Sequence, residues 1–314
     1  MSEQVIILVN PYCHQGKGWK RWLSIKSQLL QILPHTPTIV ALEKGQSLEN
    51  LMFPLLGKCH NNYIISAGGD GSVHYLVNSI LKSRESLSKT CTIGAIGLGS
   101  SNDFLKPFGS KLKNIPLRVN YCNGVLHHDV GHITYLNEQN EFREQYFIVN
   151  ASIGVTAEAN WNFNNPGKVL KFLKKYNTTA AILHTAVQTI LMHKNTSCLV
   201  CFKKEHVDAS ISNINILKSP FVSGSFHYNQ KLQPDDGRLG LNICHAMNRK
   251  ELLSTLFQLS KGRFENGEKT ISTFTNDFKL IAKEPVIFEC DGETAKAKDI
   301  AITLVPGAIK IIRS

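Results

Sequence analysis

The sequence contains no run of the ~18 or more uninterrupted apolar residues that a membrane-spanning helix needs, although 42% of its 314 residues are hydrophobic. Its opening, Met1-Ser2-Glu3-Gln4, lacks the basic start, long apolar stretch and small-residue cleavage site of a secretory signal. Eight cysteines are scattered without framework spacing. The only close pair, Cys198 and Cys201, lies in a strand-like run where positions three apart face opposite sides. That argues against a disulfide scaffold and leads to the expectation of a reduced, cytoplasmic protein. Aromatic residues are sparse at 8% and are nowhere interleaved with basic ones, so nucleic acid is not the expected partner. Acidic residues are also in deficit: 24 Asp and Glu face 35 Lys and Arg, a formal charge of +11. A nucleotide or an anionic membrane surface would answer that excess. There is no internal repeat and no low-complexity tract.

What is present alternates between two periods. Val5 to Val9 is a continuous β-branched and aliphatic run, the mark of a strand buried on both faces. A helical pattern follows, with Trp22, Ile25, Leu29 and Ile32 three or four residues apart. Strand patterns recur at 38–42, 63–65 and 92–96, separated by helical patterns at 47–56 and over Val73, Leu76, Val77, Ile80 and Leu81. This β-α-β-α order predicts a parallel sheet with helices on its faces. After about residue 125, short strand patterns separated by turn signals such as Pro234-Asp235-Asp236-Gly237 predict an antiparallel domain. The length suits two domains. The expected division is 1–125 and 126–314, with the segment about 301–314 a candidate to return to the first domain. One long helix is expected over 168–192, with Val169, Leu173, Tyr176, Ala180, Leu183, Val187 and Ile190 as its buried stripe and Lys168, Lys171, Lys174 and Lys175 on its other side.

Three polar or glycine-bearing loops fall where strands of the first domain end, which is where open parallel sheets bind ligands. The first is Asn10-Pro11-Tyr12-Cys13-His14-Gln15-Gly16-Lys17-Gly18. Glycines there admit backbone N–H groups to a phosphate and Lys17 adds charge. The second is Gly68-Gly69-Asp70-Gly71-Ser72, directly after a strand and opening a helix. The Asp70 carboxylate cannot bind phosphate directly, so it must orient a donor, bind Mg²⁺ or accept hydroxyls. A tight turn capped by Ser72 is the structural alternative. The third is Gly97-Leu98-Gly99-Ser100-Ser101-Asn102-Asp103-Phe104, where Ser101 or Asn102 could equally cap a helix.

Together these loops resemble the nucleotide-binding motifs of the diacylglycerol kinase catalytic-domain family. The resemblance continues in order through Asn150-Ala151-Ser152-Ile153-Gly154, Pro234 to Leu239, Asp291-Gly292-Glu293 and Val305-Pro306-Gly307-Ala308-Ile309. It implies an α/β nucleotide-binding domain with a parallel sheet, followed by a mostly antiparallel β-sandwich. It also implies an ATP- and Mg²⁺-dependent lipid kinase acting on a diacylglycerol-like hydroxyl. Asn10, Gly16, Lys17, Gly68, Gly69, Asp70, Gly71, Ser72, Gly99, Ser100, Ser101, Asn102 and Asp103 would surround ATP. Asp291 would be the general base, with Glu293 helping to hold metal or position that base and Asp70 contributing to catalysis. Asp235, Asp236 and the Leu239 carbonyl would hold Mg²⁺.

The resemblance further implies a cytoplasmic, peripheral enzyme meeting its lipid at an anionic membrane surface, with a homodimer left open. The chain departs from the family in its longer first loop, in Ser72 for threonine, and in Leu105-Lys106, where relatives often have Ala-Arg. Lysine is a point charge rather than a fork. The rival readings are a soluble NAD kinase-like enzyme, which shares the glycine-rich second loop, and a non-catalytic lipid- or nucleotide-binding module. Asn10-Pro11 and Asp291-Gly292-Glu293 argue against the first. The retained acids Asp70, Asp103, Asp291 and Glu293 argue against the second. His128 and His132 are expected on a polar strand surface rather than at a metal.

Overall fold

The apolar run at 5–9 is wholly buried and becomes the interior of a parallel sheet in the computed structural model, which describes residues 3–56, 61–83 and 89–313. The chain divides into two compact units, Met1–Val130 with Pro306–Ser314, and Gly131–Val305.

The first unit begins with β1 (Glu3–Val9), α1 (Gly18–Ile32), β2 (Thr38–Ala41), α2 (Leu48–Leu55), β3 (Asn61–Gly68), α3 (Asp70–Lys82) and β4 (Cys91–Gly97). Their strands pair in parallel in the order β4-β3-β1-β2. The helices close the faces of this sheet. Trp22, Ile25 and Leu29 of α1 are fully buried and pack with Val5, Ile7 and Val9. Each such side chain removed from water contributes about 1.5–3 kcal/mol. Two short strands, β5 (Lys111–Leu112) and β6 (Ile115–Arg118), form a hairpin whose second strand adds antiparallel to β4 through Ala95 and Ile96. β7 (Val125–Leu136) then leads across the unit boundary. His128 on that strand is buried rather than on a polar surface, and its Nδ1 contacts the Asp129 carbonyl.

The second unit is antiparallel and rich in strands. It comprises β8 (Phe142–Phe147), β9 (Asn150–Gly154), α4 (Val155–Asn164), α5 (Lys168–Tyr176), α6 (Thr178–Met192), β10 (Thr196–Phe202), β11 (Glu205–Leu217), β12 (Phe221–Val222), β13 (Phe226–His227), β14 (Leu239–His245), α7 (Arg249–Ser260), β15 (Thr270–Thr275), β16 (Asp277–Cys290) and, as far as Val305, β17 (Glu293–Ile312). Neighbours run β15-β14-β11-β10-β16-β17, while β9 pairs with both β11 and β16. The sandwich core includes Phe147, Ile153, Val200, Ile214, Ile216, Leu241, Phe288 and Ile300. The end of β17, from Pro306, belongs to the first unit, where Lys310 and Ile311 pair in parallel with Thr92 and Ile93 of β4.

The single helix expected over 168–192 is instead two helices. Asn177 is extended (φ −148°, ψ 102°), and its side chain accepts the Ala180 amide as the N-cap of α6. The cap satisfies an amide that a continuous helix would have used itself. The expected stripe breaks with it: Val169, Tyr176 and Leu183 are exposed and Ile190 is its one fully buried member, whereas Leu170, Ala181 and Ala186, outside the stripe, are buried.

Candidate functional site

In the first unit, strands β1 and β3 deliver Asn10 and Gly68 to adjacent positions. Asn10 Nδ2 donates to Ser72 Oγ at 3.0 Å, and a Cβ on Gly68 would lie 2.2 Å from that same hydroxyl oxygen. Ser72 is therefore engaged by the first loop and is not the cap of α3. The N-cap of α3 is Gly69, which has no side chain to satisfy the first-turn amides. Such a terminus favours an anion. Loops two and three meet backbone to backbone: a Cβ on Gly99 would fall 2.4 Å from the Gly69 Cα, and the Leu98 and Gly99 amides both donate to the Gly68 carbonyl. Asp70 Oδ1 accepts the Phe104 amide at 3.0 Å. The acid thus orients the third loop, one of the roles open to it.

Asn102 is left-handed (φ 53°) and buried, and its Nδ2 donates to the Gly99 carbonyl at 3.2 Å. Its Oδ1 is buried without a hydrogen-bond donor among the described residues. Asp103 is also buried, its Oδ1 accepting Lys106 Nζ at 2.8 Å. Ser101 is half-buried and Ser100 exposed. Gly16 and Lys17 are exposed in the first loop, where His14, Gln15 and Gly16 are successively left-handed. A Cβ on Gly16 would meet nothing within 4 Å, so that glycine answers to its backbone angle rather than to close packing.

Sequence reasoning missed Arg21. Its Nη1 donates to the Leu98 and Gly99 carbonyls at 2.9 and 2.7 Å, and its Nη2 to the Gly97 carbonyl at 3.3 Å. One guanidinium on α1 therefore clamps three successive peptides of the third loop, and a planar fork of five donors suits that task. Burial lowers its pKa from the ordinary arginine value. Arg118 of β6 lies against the same loop, its guanidinium 4.8 Å above the Phe104 ring.

In the second unit, Asp291 and Gly292 form the two-residue turn between β16 and β17, both at positive φ (49° and 95°), with Cys290 paired to Glu293. Asp-Gly at such positions is a strong hairpin signal. The Asp291 carboxylate points inward and is held by backbone amides: Oδ1 accepts from Val149 and Asn150 at 2.9 and 3.0 Å, and Oδ2 from Ile148 at 3.0 Å. Its nearest acidic neighbour in this hydrogen-bond network is Glu289, a second residue the sequence reading missed. Glu289 Oε2 accepts Ser152 Oγ at 2.7 Å and Asn150 Nδ2 at 3.0 Å, while Oε1 accepts the Gly292 amide. Burial pushes its carboxyl up to about 7, against those hydrogen bonds and with the charge of Asp291 adding to the rise. Glu293 is half-buried at the first position of β17. The only signal for Glu289 was an acid inside an otherwise apolar strand pattern.

The acidic turn revises an expectation. Lys218 Nζ, wholly buried, lies 2.6 Å from Asp236 Oδ1 and 3.2 Å from the Arg238 carbonyl. Asp236 Oδ2 accepts Arg238 Nε at 3.1 Å and the Gln233 amide at 3.0 Å. Burial would raise the Asp236 carboxyl, but these donors outweigh it and hold it below the usual carboxylate range. Asp235 is exposed, and Leu239 opens β14 in register with Thr275. The set Asp235, Asp236 and the Leu239 carbonyl does not fit Mg²⁺ as it stands, because an ammonium already occupies Asp236 Oδ1, Arg238 and Gln233 hold its other oxygen, and Asp235 is exposed.

Comparison with known proteins places both units. The diacylglycerol kinase catalytic domain matches residues 4–133, and the YegS C-terminal NAD kinase beta sandwich-like domain matches residues 150–313. The diacylglycerol kinase of Bacillus subtilis (strain 168) is 26% identical over 241 residues, covering 73% of this chain and 70% of the relative. A crystal structure of a diacylglycerol kinase from Bacillus anthracis str. Sterne aligns at TM-score 0.67 and 14% identity, over 99% of this chain and 97% of that one. Another structure from the same organism reaches TM-score 0.72 at 17% identity, over 99% and 95%. These alignments show the shared fold, an α/β domain followed by a β-sandwich. With the catalytic-domain match followed by the β-sandwich match, which alone spans just over half of the sequence, the chain belongs to the diacylglycerol kinase catalytic-domain family.

Proposed function

We propose that the chain transfers the γ-phosphoryl group of ATP to the hydroxyl of a diacylglycerol-like lipid. The observation that carries this reading is the convergence of three loops beyond the ends of β1, β3 and β4. Asn10 is tied to Ser72, Gly69 lies against Gly99, and Asp70 is tied to Phe104. Close glycine backbones and a helix start without a capping side chain suit phosphate oxygens. The orphaned Asn102 Oδ1 suits a hydroxyl or amino donor of the nucleoside. Mg²⁺ enters with ATP as part of the substrate and spreads the charge developing on the transferred group.

Asp291 is assigned the role of base. A lipid hydroxyl is a poor nucleophile at neutral pH, so its proton must pass to a positioned acceptor as its oxygen attacks phosphorus. The bond from the γ-phosphorus to the bridging oxygen breaks, ADP leaves, and Asp291 holds the proton until it is released. Three backbone donors fix this carboxylate in place, which favours orientation over adaptability.

The lipid is reached by peripheral docking through α5. Val169, Phe172 and Tyr176 are 64%, 63% and 68% exposed, an apolar stripe at three- and four-residue spacing. Lys168, Lys171 and Lys175 flank it and are exposed as well. Aromatic and aliphatic side chains beside lysines are the chemistry of an interfacial helix on an anionic leaflet. No helix among the described residues is long and apolar enough to cross a membrane. The deciding experiment incubates purified protein with γ-labelled ATP and a panel of lipids in mixed micelles, with NAD as a soluble control. Label in diacylglycerol or a related neutral lipid is expected. Label in NAD, or in nothing, overturns the reading.

A further inference from the structure

The acidic turn of the second unit raises the question of what balances its charge. Lys218 follows the last residue of β11, and its side chain is wholly excluded from water. A buried ammonium costs several kcal/mol unless paired and hydrogen-bonded. Both conditions are met here, through Asp236 at 2.6 Å and the Arg238 carbonyl at 3.2 Å. Asp236 is in turn saturated on its second oxygen by Gln233 and Arg238. A divalent ion asks for more: several oxygens at about 2.0–2.6 Å, usually with more than one carboxylate. An ion seated on Asp236 Oδ1 would stand beside a positive Nζ, and the adjacent Asp235 is turned to solvent.

We propose that the Lys218 ammonium is the resident cation of this turn, so that the second unit is complete there without a divalent ion. The same residue does further work through its backbone. The Lys218 and Ser219 amides donate to the Val149 carbonyl at 2.8 and 3.0 Å, and the Val149 amide donates to Asp291 Oδ1. The ion pair with Asp236 therefore anchors a segment that orders the peptide holding Asp291. Lys218 is a positioning residue for that carboxylate, a consequence that matters for turnover only if Asp291 is the base.

The test uses the full-length chain without nucleotide and reads thermal unfolding in EDTA, in millimolar Mg²⁺ and in millimolar Ca²⁺. The wild-type midpoint is expected to be the same in all three. Lys218→Met takes the cation away from Asp236 Oδ1 and is expected to lower the midpoint by roughly 10 °C. Lys218→Met combined with Asp236→Asn removes the pair together and is expected to recover much of that loss. In Lys218→Met, amide exchange is expected to quicken at residues 148–150. A wild-type midpoint that falls in EDTA and returns with Mg²⁺ or Ca²⁺ overturns the proposal, as does a double variant no more stable than the single. If the single variant does not fold, the double decides the matter. None of these readouts uses turnover, so failure here leaves the lipid-kinase reading untouched, and failure of that reading leaves the resident cation standing.

Discussion

Asn150 and Asp291 hold each other by reciprocal hydrogen bonds: the Asp291 amide donates to the Asn150 carbonyl at 2.9 Å, and the Asn150 amide donates to Asp291 Oδ1 at 3.0 Å. The carboxylate is thus both a candidate base and a clamp on residues 148–150. Asp291→Asn separates the two roles. Turnover is expected to fall by ~10²–10⁴-fold if the carboxylate takes the lipid proton. Stability to unfolding should fall as well, by about 1–3 kcal/mol, because an amide placed against backbone donors leaves one of them unsatisfied. Nucleotide affinity, read by calorimetry, should hardly change. A variant that keeps more than a tenth of wild-type turnover removes Asp291 from the chemical step and leaves it only the clamp.

The contact between Gly69 and Gly99 makes a second prediction. A methyl at Gly99 would sit 2.4 Å from the Gly69 Cα and 3.0 Å from Asn102 Oδ1, and neither loop can yield without moving the other. Gly99→Ala is expected to cost about 1–3 kcal/mol of stability through overpacking. ATP affinity should weaken by about tenfold or more, since 1.4 kcal/mol corresponds to a factor of ten. Gly69→Val should do the same, because its Cβ starts 3.1 Å from the Gly99 Cα. Equilibrium binding of a fluorescent ATP analogue to the folded variants checks both. Unchanged affinity would show that this contact shapes the fold and not the nucleotide site.

Much of the fold could be read from local pattern. The apolar run 5–9 is a buried strand because continuous β-branched and aliphatic residues suit a sheet covered on both faces. Trp22, Ile25 and Leu29 are buried because their spacing puts them on one face of a helix. What escaped was what depends on distant partners or on a single cap. Lys218 reads as a surface lysine until Asp236, eighteen positions on, folds against it. Arg21 meets carbonyls 76 to 78 residues away, and Glu289 meets donors from β9 more than a hundred positions earlier. The break at Asn177 was legible in principle as a capping residue, but the apolar spacing around it continued and hid it.

Glu289 supplies a pH dependence with a definite sign. Its folded-state carboxyl is raised by burial to about 7, above the ordinary 4.5 of the unfolded chain. The folded protein therefore keeps a proton that the unfolded chain has lost between those values. Stability from this group is fully present below about pH 4.5 and declines as pH rises through about 7, by on the order of 3 kcal/mol. Glu289→Gln, which keeps the shape and cannot ionise, should flatten that part of the profile. Urea unfolding of both proteins at pH 5 and pH 8 measures it: the wild type should lose ground to the variant on going to pH 8. A gap that stays constant, or that moves the other way, would mean that Glu289 is already ionised in the folded protein at the lower pH.

The exposed stripe of α5 carries the last prediction, and Lys174 sharpens it. Lys174 stands among the helix lysines in the sequence but is spent internally: its Nζ donates to the Phe163 carbonyl at 2.9 Å and lies 3.9 Å from the Phe163 ring centre. Burial lowers its pKa, in keeping with that use. The membrane contact should therefore fall to Lys168, Lys171 and Lys175 with Val169, Phe172 and Tyr176. Changing the three exposed lysines to Gln removes about 1 kcal/mol each at an anionic surface, or roughly 100-fold in binding to phosphatidylserine-containing vesicles. Their effect should fade as salt screens exposed charges over ~8–10 Å. Phe172→Ser with Tyr176→Ser should weaken binding at every salt concentration, because it removes buried apolar area rather than charge. Lys174→Gln should lower the unfolding midpoint and leave vesicle binding as it was. Sedimentation with anionic and neutral vesicles distinguishes these outcomes. Equal binding by the wild type, the lysine variant and the aromatic variant would mean that α5 faces water and the lipid is met elsewhere.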